Sequence, residues 1–209
     1  MSYWPEFLTI ALAHALAVAS PGPDFALVLR QSLAHGRRVA VWASIGIGCG
    51  ISFHVAYCFL GLGVLLKESP LALNVVRYLG AAYLAWVGVQ ALRAKPREGD
   101  LDLAEGDAAP TNGAAWTQGF IVNVLNPKAA LFFISLFALR VSPGTPPLVK
   151  VGYGVWLVLA TMAWFCLVSV LFTKPEVRRR FLRHGHWIDR ALGVVFIGFA
   201  VALVLAKLG

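Results

Sequence analysis

The sequence predicts an all-α integral membrane protein with six transmembrane helices, arranged as two inverted three-helix repeats. Two properties of the composition support a membrane protein: 59% of the 209 residues are hydrophobic and only 13% are charged. Soluble domains are about half apolar and a quarter charged. A chain of this length exposes too much surface to bury so many apolar residues in a soluble core. We therefore expect a multi-pass protein of the inner membrane.

Six stretches are long and apolar enough to cross a bilayer, which takes about 20 residues in a helix. The first is interrupted at Ser20-Pro21-Gly22-Pro23-Asp24, and the fourth is interrupted at Asn126-Pro127-Lys128. The predicted spans are 4–33, 39–66, 71–92, 116–139, 148–172 and 187–208.

The N-terminal stretch also resembles a signal peptide, because Ala17-Val18-Ala19 precedes Ser20 like a cleavage site. Residues 1–6 contain Glu6 and no basic residue, however, and apolar residues resume after Pro23. We expect a retained, broken membrane helix.

A hydrophilic stretch between spans three and four carries half of the ten acidic residues. It divides the chain into a first repeat (1–92), a linker (93–115) and a second repeat (116–209). The basic residues that give the net charge of +8 lie in short loops rather than on one face, so we expect no nucleic-acid binding. Twelve Lys and Arg residues fall on the side of the linker and five on the other, which predicts that both termini face outside.

The two halves align weakly with each other. An offset of 104 residues superposes Pro23 on Pro127 and Gly48 on Gly152. An offset of 113 superposes Arg77-Tyr78-Leu79-Gly80 on Arg190-Ala191-Leu192-Gly193. Because each repeat has an odd number of spans, the second repeat enters the membrane from the opposite side.

The interruptions predict the site at which a solute crosses. Proline removes a backbone donor and disturbs the preceding turn, and the freed polar groups are tolerated only where they face protein or a wet cavity. Paired broken helices in matching repeats are typical of a transporter's central site. The predicted substrate path is Pro21, Gly22, Pro23, Asp24, Asn126, Pro127 and Lys128.

Asp24 and Lys128 occupy equivalent places under the offset of 104. A charge inside a span costs roughly 2.5–3.5 kcal/mol and usually faces the protein interior. One hypothesis is that Asp24 binds the ammonium of an amino acid and Lys128 its carboxylate. The alternatives are that Asp24 carries a proton, that the two residues pair with each other, or that Lys128 extends to the interface.

Other polar and small residues support further expectations. His14 and His54 are candidates for a proton path, although a buried histidine is more often a packing residue. Gly46, Gly48 and Gly50 favour close helix packing, and such small-residue faces also predict a homodimer. Cys49, Cys58 and Cys166 lie inside apolar stretches without disulfide or metal-site spacing. We predict no metal, no cofactor and no catalytic residue.

The motifs around the prolines resemble those of a known family. Ser20-Pro21-Gly22-Pro23, followed by the glycine-rich stretch 46–50, resembles the first-half signature of the LysE/RhtB family of amino-acid exporters. Asn126-Pro127-Lys128-Ala129-Ala130 resembles its second-half signature, and the resemblance covers nearly the whole chain. It implies efflux of amino acids or their derivatives, driven by the proton-motive force. It does not extend to Asp24, whose position varies in the family's pattern.

Two other functions compete with amino-acid export. An exporter of another small solute or metal ion would need its own ligands, and soft metals prefer clusters of Cys, His or acidic residues. A membrane thiol-electron carrier would need a cysteine near each broken helix, and neither broken helix contains one. The expected partners are an amino-acid substrate, protons as the coupling ion, and membrane lipid.

Overall fold

A computed structural model describes residues 3–62, 70–95, 108–142 and 144–205. Over these ranges the chain is helical and contains no strand. The acidic residues of the linker, together with Lys67, Arg97 and Lys207, lie outside the described residues, as do the ends of the predicted second and sixth spans.

The described residues form eight α-helices, and a π-helical turn (Cys58–Leu62) extends the third. The helices are α1 (Trp4–Ala19), α2 (Pro23–Ala34), α3 (Gly36–Tyr57), α4 (Pro70–Leu92), α5 (Asn112–Val124), α6 (Pro127–Arg140), α7 (Pro147–Phe172) and α8 (Pro175–Leu205).

Three to five candidate membrane spans are present in the described part of the chain. The stretches Gly36–Leu60, Pro147–Phe172 and Arg183–Ala202 are each long and apolar enough to cross a bilayer. The pairs α1/α2 and α5/α6 qualify as two more spans, bent by 51° and 55° respectively. The apolar part of α4, Tyr78–Leu92, is shorter than a full span.

Local chemistry explains both bends. Ser20 takes an extended conformation that ends α1, and Pro23 then starts α2. At the second break, the side chain of Asn126 accepts a hydrogen bond from the Lys128 amide at 3.0 Å and so caps α6. Proline suits the first helical position because the amide it lacks would have no partner there. Asp24 and Lys128 therefore belong to the first turns of α2 and α6 rather than to the breaks.

The last helix begins earlier than the sequence pattern predicts. We expected a basic loop up to residue 187, but α8 starts at Pro175. Proline at the first helical position and Glu176 in the first turn both favour a helix start, and arginine is a good helix former. The start of α5 also moves, from residue 116 to Asn112, because Thr111 accepts a cap hydrogen bond from the Ala114 amide at 3.2 Å.

Glycines allow the central helices to approach closely. A Cβ atom on Gly46 of α3 would collide with the carbonyl oxygen of Trp116 on α5, and one on Gly119 would collide with the carbonyl oxygen of Ala43. This confirms the predicted packing role of Gly46. Gly88 of α4 and Gly193 of α8 meet in the same manner.

The outer surface is strongly apolar. Trp4, Leu8 and Leu12 along α1 are 67%, 59% and 65% exposed, and many large apolar residues of α7 and α8 are also exposed. Contiguous apolar surface of this kind marks contact with lipid or another protein.

Candidate transport site

The two helix breaks face each other across a pocket with about 440 Å³ of empty space, its mouth included. The polar residues that line the pocket come from both breaks and from α1 and α7: His14, Ser20, Asp24, Asn126, Lys128 and Thr161. Most of the remaining wall is apolar and includes Phe25, Ile51, Phe132, Phe133 and Phe165.

Lys128 binds the end of α1. Its Nζ donates to the carbonyl oxygen of Ser20 at 2.9 Å, to the Ser20 hydroxyl at 2.8 Å and to the carbonyl oxygen of Pro21 at 2.9 Å. An ammonium has three protons, so all of them are engaged. A cation at a helix C-terminus is also favoured by the helix dipole. Lys128, in the first turn of α6, therefore caps the C-terminal end of α1.

Asp24, which follows the first break, binds residues at the second break. Its Oδ2 accepts hydrogen bonds from the side-chain amides of Asn123 at 2.9 Å and Asn126 at 3.0 Å. Asn123 and Asn126 belong to the end of α5 and to the second break, and both are buried. The other carboxylate oxygen, Oδ1, is buried and has no hydrogen-bond partner among the described residues. This oxygen is an unpaired acceptor in a residue that lines the pocket.

The charged side chain in the first turn after each break thus binds groups at the other break. The Lys128 ammonium is committed to Ser20 and Pro21, and the Asp24 carboxylate is held by two asparagines. The two charges act on each other through space without a direct ion pair. The simple pairing of Asp24 with Lys128, one of the alternatives from the sequence, is absent from this conformation.

The remaining residues of the predicted path shape the backbone at the first break and at the start of α6. Pro23 and Pro127 occupy the first positions of α2 and α6, and Pro21 supplies a carbonyl to Lys128. A Cβ atom on Gly22 would lie 3.1 Å from Cδ of Lys128 and 3.2 Å from its Nζ. Glycine at this position therefore leaves room for the lysine side chain.

His54 connects α3 to the second break. Its Nε2 lies 2.9 Å from the carbonyl oxygen of Asn123, and its Nδ1 lies 3.0 Å from the hydroxyl of Tyr57. The Tyr57 hydroxyl is also 3.2 Å from the carbonyl oxygen of Ala130 in the first turn of α6. His54 does not line the pocket, but Asn123 lies between it and Asp24.

His14 lines the pocket directly. The ring is 1% exposed, and its Nε2 lies 2.9 Å from the Thr161 hydroxyl on α7. The rings of Phe133 and Trp156 pack around it, with centroids 6.1 and 5.7 Å away. The other ring nitrogen, Nδ1, has no hydrogen-bond partner among the described residues.

Four residues at or beside the site were not predicted from the sequence: Ser20, Asn123, Tyr57 and Thr161. Asn123 could have been found from the sequence, because it is an amide side chain inside an apolar span, three residues before Asn126. That position places it next to the second break. Asp189 of α8 was also missed: it is 6% exposed, and its charge acts on Lys128. No signal in the sequence shows that α8 brings Asp189 near that lysine.

Neither a metal site nor a dithiol centre is found in the described ranges. No group of three or more His, Cys, Asp or Glu side chains there could hold a metal ion. Cys49, Cys58 and Cys166 are free thiols on α3, on the π-helical turn and on α7. None of them lines the pocket between the breaks.

These features define a class: a helical membrane protein with a pocket between paired broken helices, as in secondary transporters. Comparison with known families gives the narrower assignment. Residues 15–207 match the LysE type translocator family, and the chain belongs to it. The protein is accordingly a transporter rather than an enzyme.

Relatives match over nearly their whole length. A threonine efflux protein of Escherichia coli is 32% identical over 202 residues, which cover 96% of this chain and 98% of that protein. A leucine efflux protein of Klebsiella pneumoniae is 30% identical over 206 residues, which cover 95% of this chain and 94% of that protein. No solved structure matches the chain.

Proposed function

We propose that this protein is a six-span secondary transporter that exports neutral amino acids across the inner membrane and is driven by the proton-motive force. The observation that carries the proposal is the buried Oδ1 of Asp24, an acceptor without a partner among the described residues, in a pocket between two broken helices. A buried carboxylate oxygen of this kind needs a proton or a cation. The ammonium of an amino acid is the cation that fits.

The inverted arrangement is supported by helix directions. Under the proposed repeat, α3 corresponds to α7 and α4 to α8, and inversion requires corresponding helices to run antiparallel where they pack. Ser44 contacts Ser169 near one end of the α3/α7 pair, and Gly154 approaches Val55 near the other. This order is antiparallel.

Two hydrogen bonds at opposite ends of the bundle support the same arrangement. Arg38 donates to the side chain of Asn112 at 3.1 Å, and the Ser142 amide donates to Glu6 at 3.3 Å. Arg38 and Ser142 are 104 residues apart, and Glu6 and Asn112 are 106 residues apart. Each bond therefore joins the segment that follows one broken helix, the first turn of α3 or the loop after α6, to the start of the other broken helix.

The carboxylate of the substrate has a favourable place at the start of α2 or α6. Phe25 and Ala129 line the pocket in the first turns of these helices, where backbone amides lack helical acceptors and the dipole favours an anion. Lys128 contributes its charge to the same region while its protons stay on Ser20 and Pro21.

The part of the pocket that receives the side chain of the substrate favours a neutral group. Asp24 and Lys128 are the charged residues among those that line it, and both are already assigned to the two ends of the zwitterion. A basic or acidic side chain would therefore be buried among phenylalanines without a counter-charge, which is unfavourable. The names of the relatives, threonine and leucine efflux proteins, agree with neutral substrates.

Proton coupling is proposed for His54. With two ring protons, Nε2 donates to Asn123 and Nδ1 donates to Tyr57, whose hydroxyl donates to Ala130. With one ring proton, the Tyr57 hydroxyl turns and donates to Nδ1. Both protonation states keep every ring nitrogen bonded, which suits a residue that gains and loses a proton. We expect His54→Gln to retain substrate exchange and to lose accumulation driven by a pH gradient.

A tolerance assay tests the substrate class. Cells that overproduce the protein are challenged with toxic concentrations of neutral, basic and acidic amino acids, of neutral analogues and of metal salts. We expect better growth on the neutral amino acids and their analogues, compared with cells that make equal amounts of Asp24→Asn. Tolerance to basic amino acids or to metal salts alone would contradict the proposed substrate.

A further inference from the structure

The pocket wall holds one pair of polar residues that the proposed binding of the zwitterion does not use. Asp24 and the helix starts account for the ammonium and the carboxylate. His14 and Thr161 also line the pocket, together with Phe133 and other apolar residues. A wall built only for a hydrocarbon side chain has no use for a buried imidazole.

The His14 ring is fixed in position. Its Nε2 is anchored 2.9 Å from the Thr161 hydroxyl, and Phe133 and Trp156 pack against the ring. Thr161 is fully buried and lies on α7, whereas His14 lies on α1. Two elements of the bundle therefore hold the imidazole in one orientation.

The second nitrogen of this ring is left over. Nδ1 of His14 is buried and has no hydrogen-bond partner in the part of the chain that the structure describes. An unsatisfied buried polar atom is unfavourable and uncommon in folded proteins. Because His14 lines the pocket, a bound substrate is the partner available to this buried atom.

We infer that His14 is the specificity-determining residue that hydrogen-bonds a hydroxyl group on the side chain of the exported amino acid. The inference rests on the proposed function, because it needs the zwitterion to occupy this pocket. A hydroxyl group can donate or accept, so the bond forms whichever tautomer the Thr161 contact selects. Aliphatic amino acids of the same shape still enter the pocket but leave Nδ1 without a partner.

His54 does not compete for this role. Both of its ring nitrogens already have partners, Asn123 and Tyr57, and it lies outside the pocket wall. The two histidines contact the same Phe133 ring, yet only His14 presents an unused nitrogen.

Threonine and valine are the matched probes, since they have nearly the same shape and differ by a hydroxyl group in place of a methyl group. Purified protein in liposomes exchanges labelled threonine or valine with the same amino acid inside, at equal pH on both sides, so that proton coupling does not limit the rate. We expect the wild-type protein to prefer threonine by about threefold to tenfold, which is the worth of one neutral hydrogen bond.

Two substitutions separate the two ring nitrogens. The amide of His14→Asn places a polar atom near the position of Nδ1, whereas that of His14→Gln places one near Nε2. We expect His14→Asn to keep a preference for threonine and His14→Gln to bring the ratio of threonine to valine close to one. Stabilisation of each purified variant against heating by the two amino acids gives the same comparison without transport.

The outcomes are distinct. If His14→Gln keeps the wild-type ratio, or if both variants lose threonine and valine exchange equally, His14 packs or carries protons and does not read the hydroxyl group. If the wild-type protein exchanges neither amino acid, the proposed function itself fails. Exchange of both at the same rate by the wild-type protein overturns only the role of His14.

Discussion

Replacement of Lys128 by methionine tests how the two broken helices hold each other. Methionine keeps much of the length of the side chain but removes the ammonium. In the wild-type protein this ammonium donates three hydrogen bonds, to the two oxygens of Ser20 and to the carbonyl oxygen of Pro21. The substitution leaves these acceptors without their donor and leaves Asp24 without its nearby cation.

The expected loss of stability follows from those contacts. A hydrogen bond to a charged group contributes about 1.5–3 kcal/mol, but three bonds from one ammonium do not add independently. Removal of one of two interacting buried charges costs up to about 3–5 kcal/mol, and we take this range for the whole change. For a chain of this size, 1 kcal/mol corresponds to about 2–4 °C in Tm. Lys128→Met should therefore lower Tm by roughly 6–20 °C.

The assay is thermal unfolding of the purified protein in detergent, followed by tryptophan fluorescence. Lys150→Met is the matched control, because Lys150 lies near the start of α7 and does not line the pocket. The double variant Asp24→Asn/Lys128→Met should lose less stability than the two single variants together, since it leaves no uncompensated charge. A Tm for Lys128→Met equal to that of the control would refute the proposed capping of α1.

Two further predictions concern the packing and the support of the site. Gly46→Ala should lower Tm sharply, because the added Cβ collides with the backbone carbonyl of Trp116. Gly113→Ala is the control and should leave Tm nearly unchanged, because a Cβ there meets open space. Equal effects of the two substitutions on Tm would contradict the close approach of the helices. Asn123→Leu removes one of the two donors to Asp24 and should slow export by about tenfold to a hundredfold, the worth of a charge-assisted hydrogen bond. Labelled efflux from cells with matched protein levels checks the second prediction, and an unchanged rate would argue against it.

The breaks were predictable because they depend on local chemistry. Proline and glycine act on the backbone where they stand, so residues 20–24 and 126–128 identify both bends without any knowledge of the fold. The long apolar stretches likewise predict membrane helices. Asp24 and Lys128 were predicted to lie in the breaks, and in the structure they lie in the first turns of the helices that follow.

The partners of the charged residues were not predictable. The offset of 104 places Asp24 and Lys128 at equivalent positions, which left a shared substrate, an ion pair, a proton-carrying Asp24 and a Lys128 that extends to the interface as alternatives. Their contacts instead depend on which atoms the crossing helices bring together: carbonyl oxygens at the end of α1 and two asparagines around the second break. The early start of α8 was missed because its first turns are basic and carry no apolar pattern.

The most direct test of the account is transport by Asp24→Asn in liposomes. The substitution keeps the size of the side chain and removes the negative charge that is proposed to bind the substrate ammonium. We expect exchange of labelled neutral amino acids to fall by more than about tenfold, while Glu176→Gln, which alters an exposed acid at the start of α8, exchanges at the wild-type rate. Undiminished exchange by a correctly folded Asp24→Asn protein would contradict the central claim that this carboxylate binds the transported amino acid.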